Sequence, residues 1–268
     1  MESLTLTLTT PAGDVAARID VPSGFVPVTA IVPLMHGLGE QALALEERTA
    51  AMRGESVSCR KGCAACCRLL VPVSAPEAFR LRDRLAQLPA PRQTEVRRRM
   101  AEAERRLVET GLLEPLLAVA ETEQQLTDQD LDAVNRAYYS QRLACPFLED
   151  EMCSIYEDRP AACRELLVTS PADLCADIER NPVRALPVPV RISTALAQVW
   201  ADLRREPARL IPLPIAVSWA ERRAGEAAAS RSGQSWLDGA LDAVARYLSR
   251  EFDSRRVQAH AGESHRSS

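Results

Sequence analysis

The chain opens on strict alternation. Leu4, Leu6 and Leu8 are apolar and Thr5, Thr7 and Thr9 between them are polar, a period of two that predicts a strand with one buried face. Pro11-Ala12-Gly13-Asp14 supplies turn chemistry, and Val15 to Val21 reads as the returning strand. A small β-hairpin or β-meander is predicted over residues 3–33, and a helix over Leu38–Met52. Past a cysteine-rich segment the pattern turns helical. Ser74-Ala75-Pro76-Glu77 is a capping box with proline in the first turn, starting a helix that runs to about Leu88. Pro91 opens a second helix to about Thr110, with Gly111 as its stop, and Thr127-Asp128-Gln129-Asp130 starts a third that ends near Arg142. After Cys175 the chain is punctuated by Pro182, Pro187, Pro189, Pro207, Pro212 and Pro214, with helices predicted at 193–205, 214–224 and 235–254. Trp200, Trp219 and Trp236 fall on these helices and read as packing residues. Val257 to Ser268 is small and polar and is predicted to be disordered.

Composition changes this picture at one point, the cysteines. There are eight: Cys59, Cys63, Cys66 and Cys67 in one tight group, and Cys145, Cys153, Cys163 and Cys175 in a second. Thiolate is the soft ligand of zinc and of iron–sulfur clusters, and four ligands complete one tetrahedral site. Eight could complete two sites or build one larger bridged cluster. The vicinal Cys66 and Cys67 point about 100° apart on a helix, so they serve different sites or different faces of one cluster. Gly62 permits a tight turn before Cys63, and Pro160 suits the first turn of a helix presenting Cys163. Three predicted helices separate the two groups and can return the second to the first in space.

Charge fits the same chemistry. Arg60, Lys61, Arg68, Arg142, Arg159 and Arg164 lie near cysteines in sequence, and cations there lower thiol pKa values and hydrogen-bond sulfur. Arg159 is the best candidate for a residue that orients the ligands from outside the coordination shell. The histidines stay out: His36 is remote in sequence, and His260 and His265 are in the tail. A net charge of −4 gives no reason to expect a nucleic-acid partner. No signal peptide and no continuous apolar run of membrane-spanning length is read from the sequence, so a cytoplasmic location is expected, without membrane association. Thiols stay reduced there, which argues against disulfides. No phosphate-cradling loop, dinucleotide fingerprint or nucleophile elbow is present, and whether the protein is an enzyme is left open.

The arrangement Cys-x3-Cys-x2-Cys-Cys, then Cys-Pro-Phe-Leu, then Cys-x-Ile-Tyr-x-x-Arg-Pro-x-x-Cys-Arg and a last cysteine, resembles the YkgJ-type cysteine-cluster proteins, bacterial proteins described as zinc- or iron-chelating. The strong part covers residues 59–67 and 145–175. The resemblance implies a bound metal ion, zinc or iron, with a 4Fe-4S cluster among the options, and all eight cysteines as ligands. A similar cluster in flagellin lysine N-methylase suggests, as one alternative, a cluster-dependent modification enzyme using S-adenosylmethionine; a structural zinc knot in an interaction protein, with a protein partner still to be identified, is another. The expected fold is mainly α with a small N-terminal hairpin or meander and irregular metal-binding loops between helices. The expected divisions are an N-terminal hairpin and helix at 1–55, a cysteine-cluster metal-binding domain at 56–180, a C-terminal helical region at 181–256 and a disordered tail at 257–268.

Overall fold

The computed structural model describes residues 2–124 and 126–264. In chain order, strands β1 (Glu2–Thr10), β2 (Gly13–Val21) and β3 (Phe25–Pro27) precede helix α1 (Ile31–Met52). After the first cysteine group come β4 (Pro72–Val73), α2 (Ala75–Gln87), α3 (Ala90–Glu109), α4 (Leu113–Glu121) and α5 (Asp128–Ser140). The second group spans β5 (Leu148–Glu149), β6 (Met152–Cys153) and α6 (Ala161–Glu165). The chain closes with α7 (Ile192–Arg204), β7 (Ile211–Pro212), α8 (Leu213–Arg222), β8 (Ser230–Ser232) and α9 (Gly233–Ser264). The fold is mainly α, with a small N-terminal hairpin.

That hairpin is the one the alternation predicts. β1 and β2 pair antiparallel from Glu2↔Val21 to Thr10↔Gly13, and Val15, Ala17, Ile19 and Val21 face inward while their neighbours face water. It does not extend into a meander. β3 instead pairs with β8, more than two hundred residues away in the chain. Helix α1 begins at Ile31, seven residues before the predicted Leu38, because a proline such as Pro33 is tolerated in a first turn, where its missing N–H has no intrahelical acceptor.

Helix α1 also corrects the reading of hydrophobic runs. Val28–Met52 reaches a mean hydropathy of 1.2, enough by length and composition to cross a membrane, although half of it is buried in the fold. Glu40, Glu46 and Glu47 interrupt the run and hid it from inspection. Its apolar residues Ile31, Val32, Met35, Leu38 and Ala42 belong to the main core. Gly39 lets α7 approach closely, since a Cβ there would lie 2.6 Å from Ile192 Cγ1.

The core is centred on α1, α2, α7, α8 and α9. Phe79 lies edge-on to Trp200 at 5.2 Å and tilted against Trp219 at 5.5 Å, and Trp236 donates its indole N–H to Val26 O at 2.9 Å. The three tryptophans thus pack, as expected. Helix α9 runs to Ser264, well into the stretch expected to be disordered, because Arg255, Arg256, Gln258 and Ala259 favour helix and no proline stops it; residues 265–268 lie outside the described residues.

Candidate metal centre

The first cysteine group is a chain of tight turns. Cys63 N–H donates to Arg60 O at 2.9 Å around Gly62, which sits at φ +91°. Cys67 N–H then donates to Ala64 O at 2.9 Å and Leu69 N–H to Cys66 O at 3.0 Å. Only a single 3-10 turn, Ala65–Arg68, forms here, so the four sulfurs are not spread along one face of an α-helix. Upstream, Ser58 N–H donates to Val168 O at 2.9 Å, and Val168 N–H donates back to Cys59 Sγ at 3.4 Å. This lays the first group along the end of the second.

The second group is presented by a hairpin and a short helix. Pro146 and Phe147 turn the chain so that Leu148 N–H donates to Cys145 O at 2.9 Å. β5 and β6 then pair Leu148 with Cys153 across Asp150 and Glu151, which sit at φ +48° and +57°. Two successive positive φ values are what a two-residue turn of type I′ needs. Arg68 grips Glu151 with both terminal nitrogens, at 2.7 and 3.2 Å, tying the hairpin to the first group. Cys163 rides on α6, whose first turn follows Pro160 as expected.

The two groups meet through the backbone. Cys145 N–H donates to Cys67 O at 2.8 Å. Around that joint Cys63, Cys66, Cys67, Cys145, Cys153 and Cys163 line one cavity of about 130 Å³. Apolar residues such as Leu70, Phe147 and Leu213 complete its wall, and Arg159 is the one charged residue in the lining. Cys59 and Cys175 are not part of that lining. Cys59 is held against the 166–168 segment, and Cys175 is buried in the Ala172–Asp177 turn.

Among the described residues, no three His, Cys, Asp or Glu side chains are set to grip a single ion. The sulfurs stand around a space instead of converging on one point. A water needs roughly 10–15 Å³ by the same measure, so the cavity is far roomier than one small ligand requires. The donor set fits a soft metal group: the lining holds six thiols and no carboxylate or imidazole.

Burial raises the pKa of several of these thiols. It pushes Cys145 up to about 12, opposed by the Phe147 N–H. Cys163 rises well above the ordinary thiol value, first by burial and then through the neighbouring sulfurs of Cys145, Cys66 and Cys153. Cys66 is raised by its hydrogen bond with Cys67 and by burial. Cys59, Cys153 and Cys175 are raised by burial as well. Arg159 opposes the rise at Cys59, Cys66, Cys153 and Cys163. Its guanidinium lies 3.7 Å over the Tyr156 ring and its Nε donates to Tyr156 O at 3.1 Å.

Residues 58–178 match the family model CxxCxxCC, described as a "Putative zinc- or iron-chelating domain". Searches of curated proteins and of solved structures give no match to the chain.

Sequence reasoning missed the support beneath the cysteine segments. Glu77 closes the α2 capping box by accepting from Ser74 N–H at 3.0 Å. Its other oxygen accepts from Ala161 N–H at 2.6 Å, at the start of the helix bearing Cys163, and lies 3.0 Å from His36 Nε2. Burial alone would raise the Glu77 carboxyl, but His36, Ala161 and Ser74 together hold it below the usual range. Asp158, just before Arg159, is gripped from α2 by Arg80 at 3.0 Å and Arg84 at 2.8 Å. The capping box was the visible signal; its outward reach to Ala161 had none.

Proposed function

We propose that this is a metal-binding protein whose cysteine cavity holds an iron–sulfur cluster. One observation carries the reading: six cysteines from two distant groups line a single apolar cavity too wide for one ion. Zinc bound by thiolates needs sulfurs about 2.3 Å from a shared point, whereas a cluster brings its own inorganic core to fill the space between ligands. Cys66, Cys145, Cys153 and Cys163 are the proposed ligands, because each lines the cavity and the Cys66 sulfur acts electrostatically on the other three. Cys59, Cys63, Cys67 and Cys175 are the remaining four; Cys59, Cys66 and Cys63 all act on Cys175, so these sulfurs lie beside the first set. Arg159, held against Tyr156, balances part of the thiolate charge. When bound, such a cluster supplies one-electron chemistry.

Metal and sulfide analysis on protein purified without oxygen tests the reading. A brown preparation with broad sulfur-to-iron absorption and about four iron and four sulfide per cluster is expected. Cys66→Ser and Cys163→Ser should each lose most of the iron held by the first set. A colourless protein with stoichiometric zinc overturns the cluster reading in favour of a zinc site, and full metal retention by both variants removes those residues from the ligand set.

A further inference from the structure

The N-terminal hairpin leaves one long backbone edge open. Among the described residues β2 is the only strand paired with β1, and β1 runs for nine residues. One bond fixes the direction of its free groups. Arg18 N–H donates to Gln41 Oε1 at 3.2 Å, so it points away from β1. Arg18 stands opposite Thr5, and residues directly opposite in an antiparallel pair exchange both of their hydrogen bonds or neither. Thr5 therefore turns its N–H and C=O to the outer side of β1, and by the period of two so do Ser3, Thr7 and Thr9. No backbone bond from another element reaches these four among the described residues, and their side chains are exposed.

Such an edge is ordinarily blunted by charge, proline or a bulge. β1 has none of these: Ser3 to Thr10 carries no charge and no proline, and its pairing with β2 is unbroken. The β2 edge differs, with Asp14, Arg18 and Asp20 along it and Gln41 bonded to it. The apolar face shows the same asymmetry. Val15, Ala17, Ile19 and Val21 of β2 are at most 5% exposed, whereas Leu4, Leu6 and Leu8 of β1 are only half-buried, because α1 packs on the β2 side. The sequence itself names the strand that fits. Leu4-Thr5-Leu6-Thr7-Leu8 reads the same in both directions. A second copy laid antiparallel about Leu6 thus sets leucine against leucine and threonine against threonine. That register pairs Thr5 with Thr7 of the second copy, and Ser3 with Thr9 of the second copy, which are the residues whose outward groups are free.

We propose that β1 is a dimer interface, at which two copies of the chain pair their first strands antiparallel about Leu6 into one four-stranded sheet. The contact is two-fold and self-complementary. On the apolar face it brings Leu4 of one copy beside Leu8 of the other, covering what α1 leaves open. The sheet ends at the charged β2 edges, so the assembly closes at two copies. The proposal does not depend on the cysteine centre.

Sedimentation equilibrium of the whole chain provides the test, run under reductant so that the eight thiols do not link copies. One strand per copy makes a small interface, so a micromolar Kd is expected, and twice the mass of one chain should be reached at about 100 μM. Thr7→Pro removes an outward N–H and no β1–β2 bond, a position where an edge strand accepts proline. It should weaken the dimer about tenfold or more. Charge tests the register. Thr5→Glu with Thr7→Glu sets like charges opposite each other at two places and should weaken the dimer to a similar degree. Thr5→Glu with Thr7→Lys sets opposite charges at the same two places and should bring the dimer back to at least its original strength, which guards against variants that merely misfold. A monomeric parent protein at that concentration overturns the proposal. So does a dimer that neither Thr7→Pro nor the paired glutamates weaken, which would place the contact elsewhere. A Glu–Lys pair no stronger than the Glu–Glu pair overturns the pairing about Leu6.

Discussion

Arg159 is the one cation in the lining of the cysteine cavity, and four thiols feel it. Its position is fixed twice, by stacking on Tyr156 and by a bond to that residue's carbonyl. A ligand set of thiolates builds up negative charge that a nearby guanidinium stabilises. Replacing Arg159 with alanine should therefore weaken metal retention by about 10–100-fold, the usual cost of losing such a supporting contact, without unfolding the protein. Competition with a chelator of known affinity measures this, and an unchanged affinity would reduce Arg159 to a surface charge. The sequence pointed to this residue because the spacing Tyr156-x-x-Arg159-Pro160 stands between two cysteines. It gave no hint which of the other basic residues matter. Arg68 turned out to clamp the β5–β6 hairpin, a role that depends on a partner eighty-three residues away.

The elements around the site are joined by one buried carboxylate. Glu77 links α2 to α1 through His36 and to α6 through Ala161. In Glu77→Gln an amide must replace an acceptor-only group, and its NH2 would face a donor, either Ser74 N–H or Ala161 N–H. A loss of about 1–3 kcal/mol is expected in urea unfolding. The pH dependence has a definite sign. Because the fold holds the Glu77 carboxyl below its usual value, its contribution is complete above the unfolded pKa of about 4.3 and is lost as pH falls through the lower folded value. The variant's stability should accordingly fall less steeply with acid than that of the parent protein. Much at this scale was legible in advance. The N-terminal hairpin and the capped helices α2, α3 and α5 rest on local rules, namely alternation, capping residues and a glycine stop. Helix α4 was not legible, because it is short and follows directly on the Gly111 stop. The pairings β3–β8 and β4–β7 were not either, since strands of two or three residues carry no periodicity and are made by contacts distant in sequence.

The whole molecule divides its stability between two kinds of structure. The helices around Phe79, Trp200 and Trp219 form a continuous apolar core. The cysteine segments are turns, short strand pairs and single helical turns, joined to that core by a few side chains such as Phe147, Ile155 and Ala161. Removing the metal should therefore loosen one part and spare the other. Hydrogen exchange on stripped protein should show faster amide exchange over residues 58–68 and 145–175, with α2 and α8 as protected as before. Uniform acceleration would mean that the helical core itself depends on the metal, as in a small zinc finger.

The bond from Cys145 N–H to Cys67 O has a consequence for the life of the chain. Its two ends are made far apart in time, because roughly eighty residues must be synthesised between them. The nascent polypeptide thus carries four thiols before their counterparts exist, with α2 through α5 made in between. Any cofactor delivered during translation would find only half a nest. A cofactor that uses both groups therefore has to wait for the second group to be made.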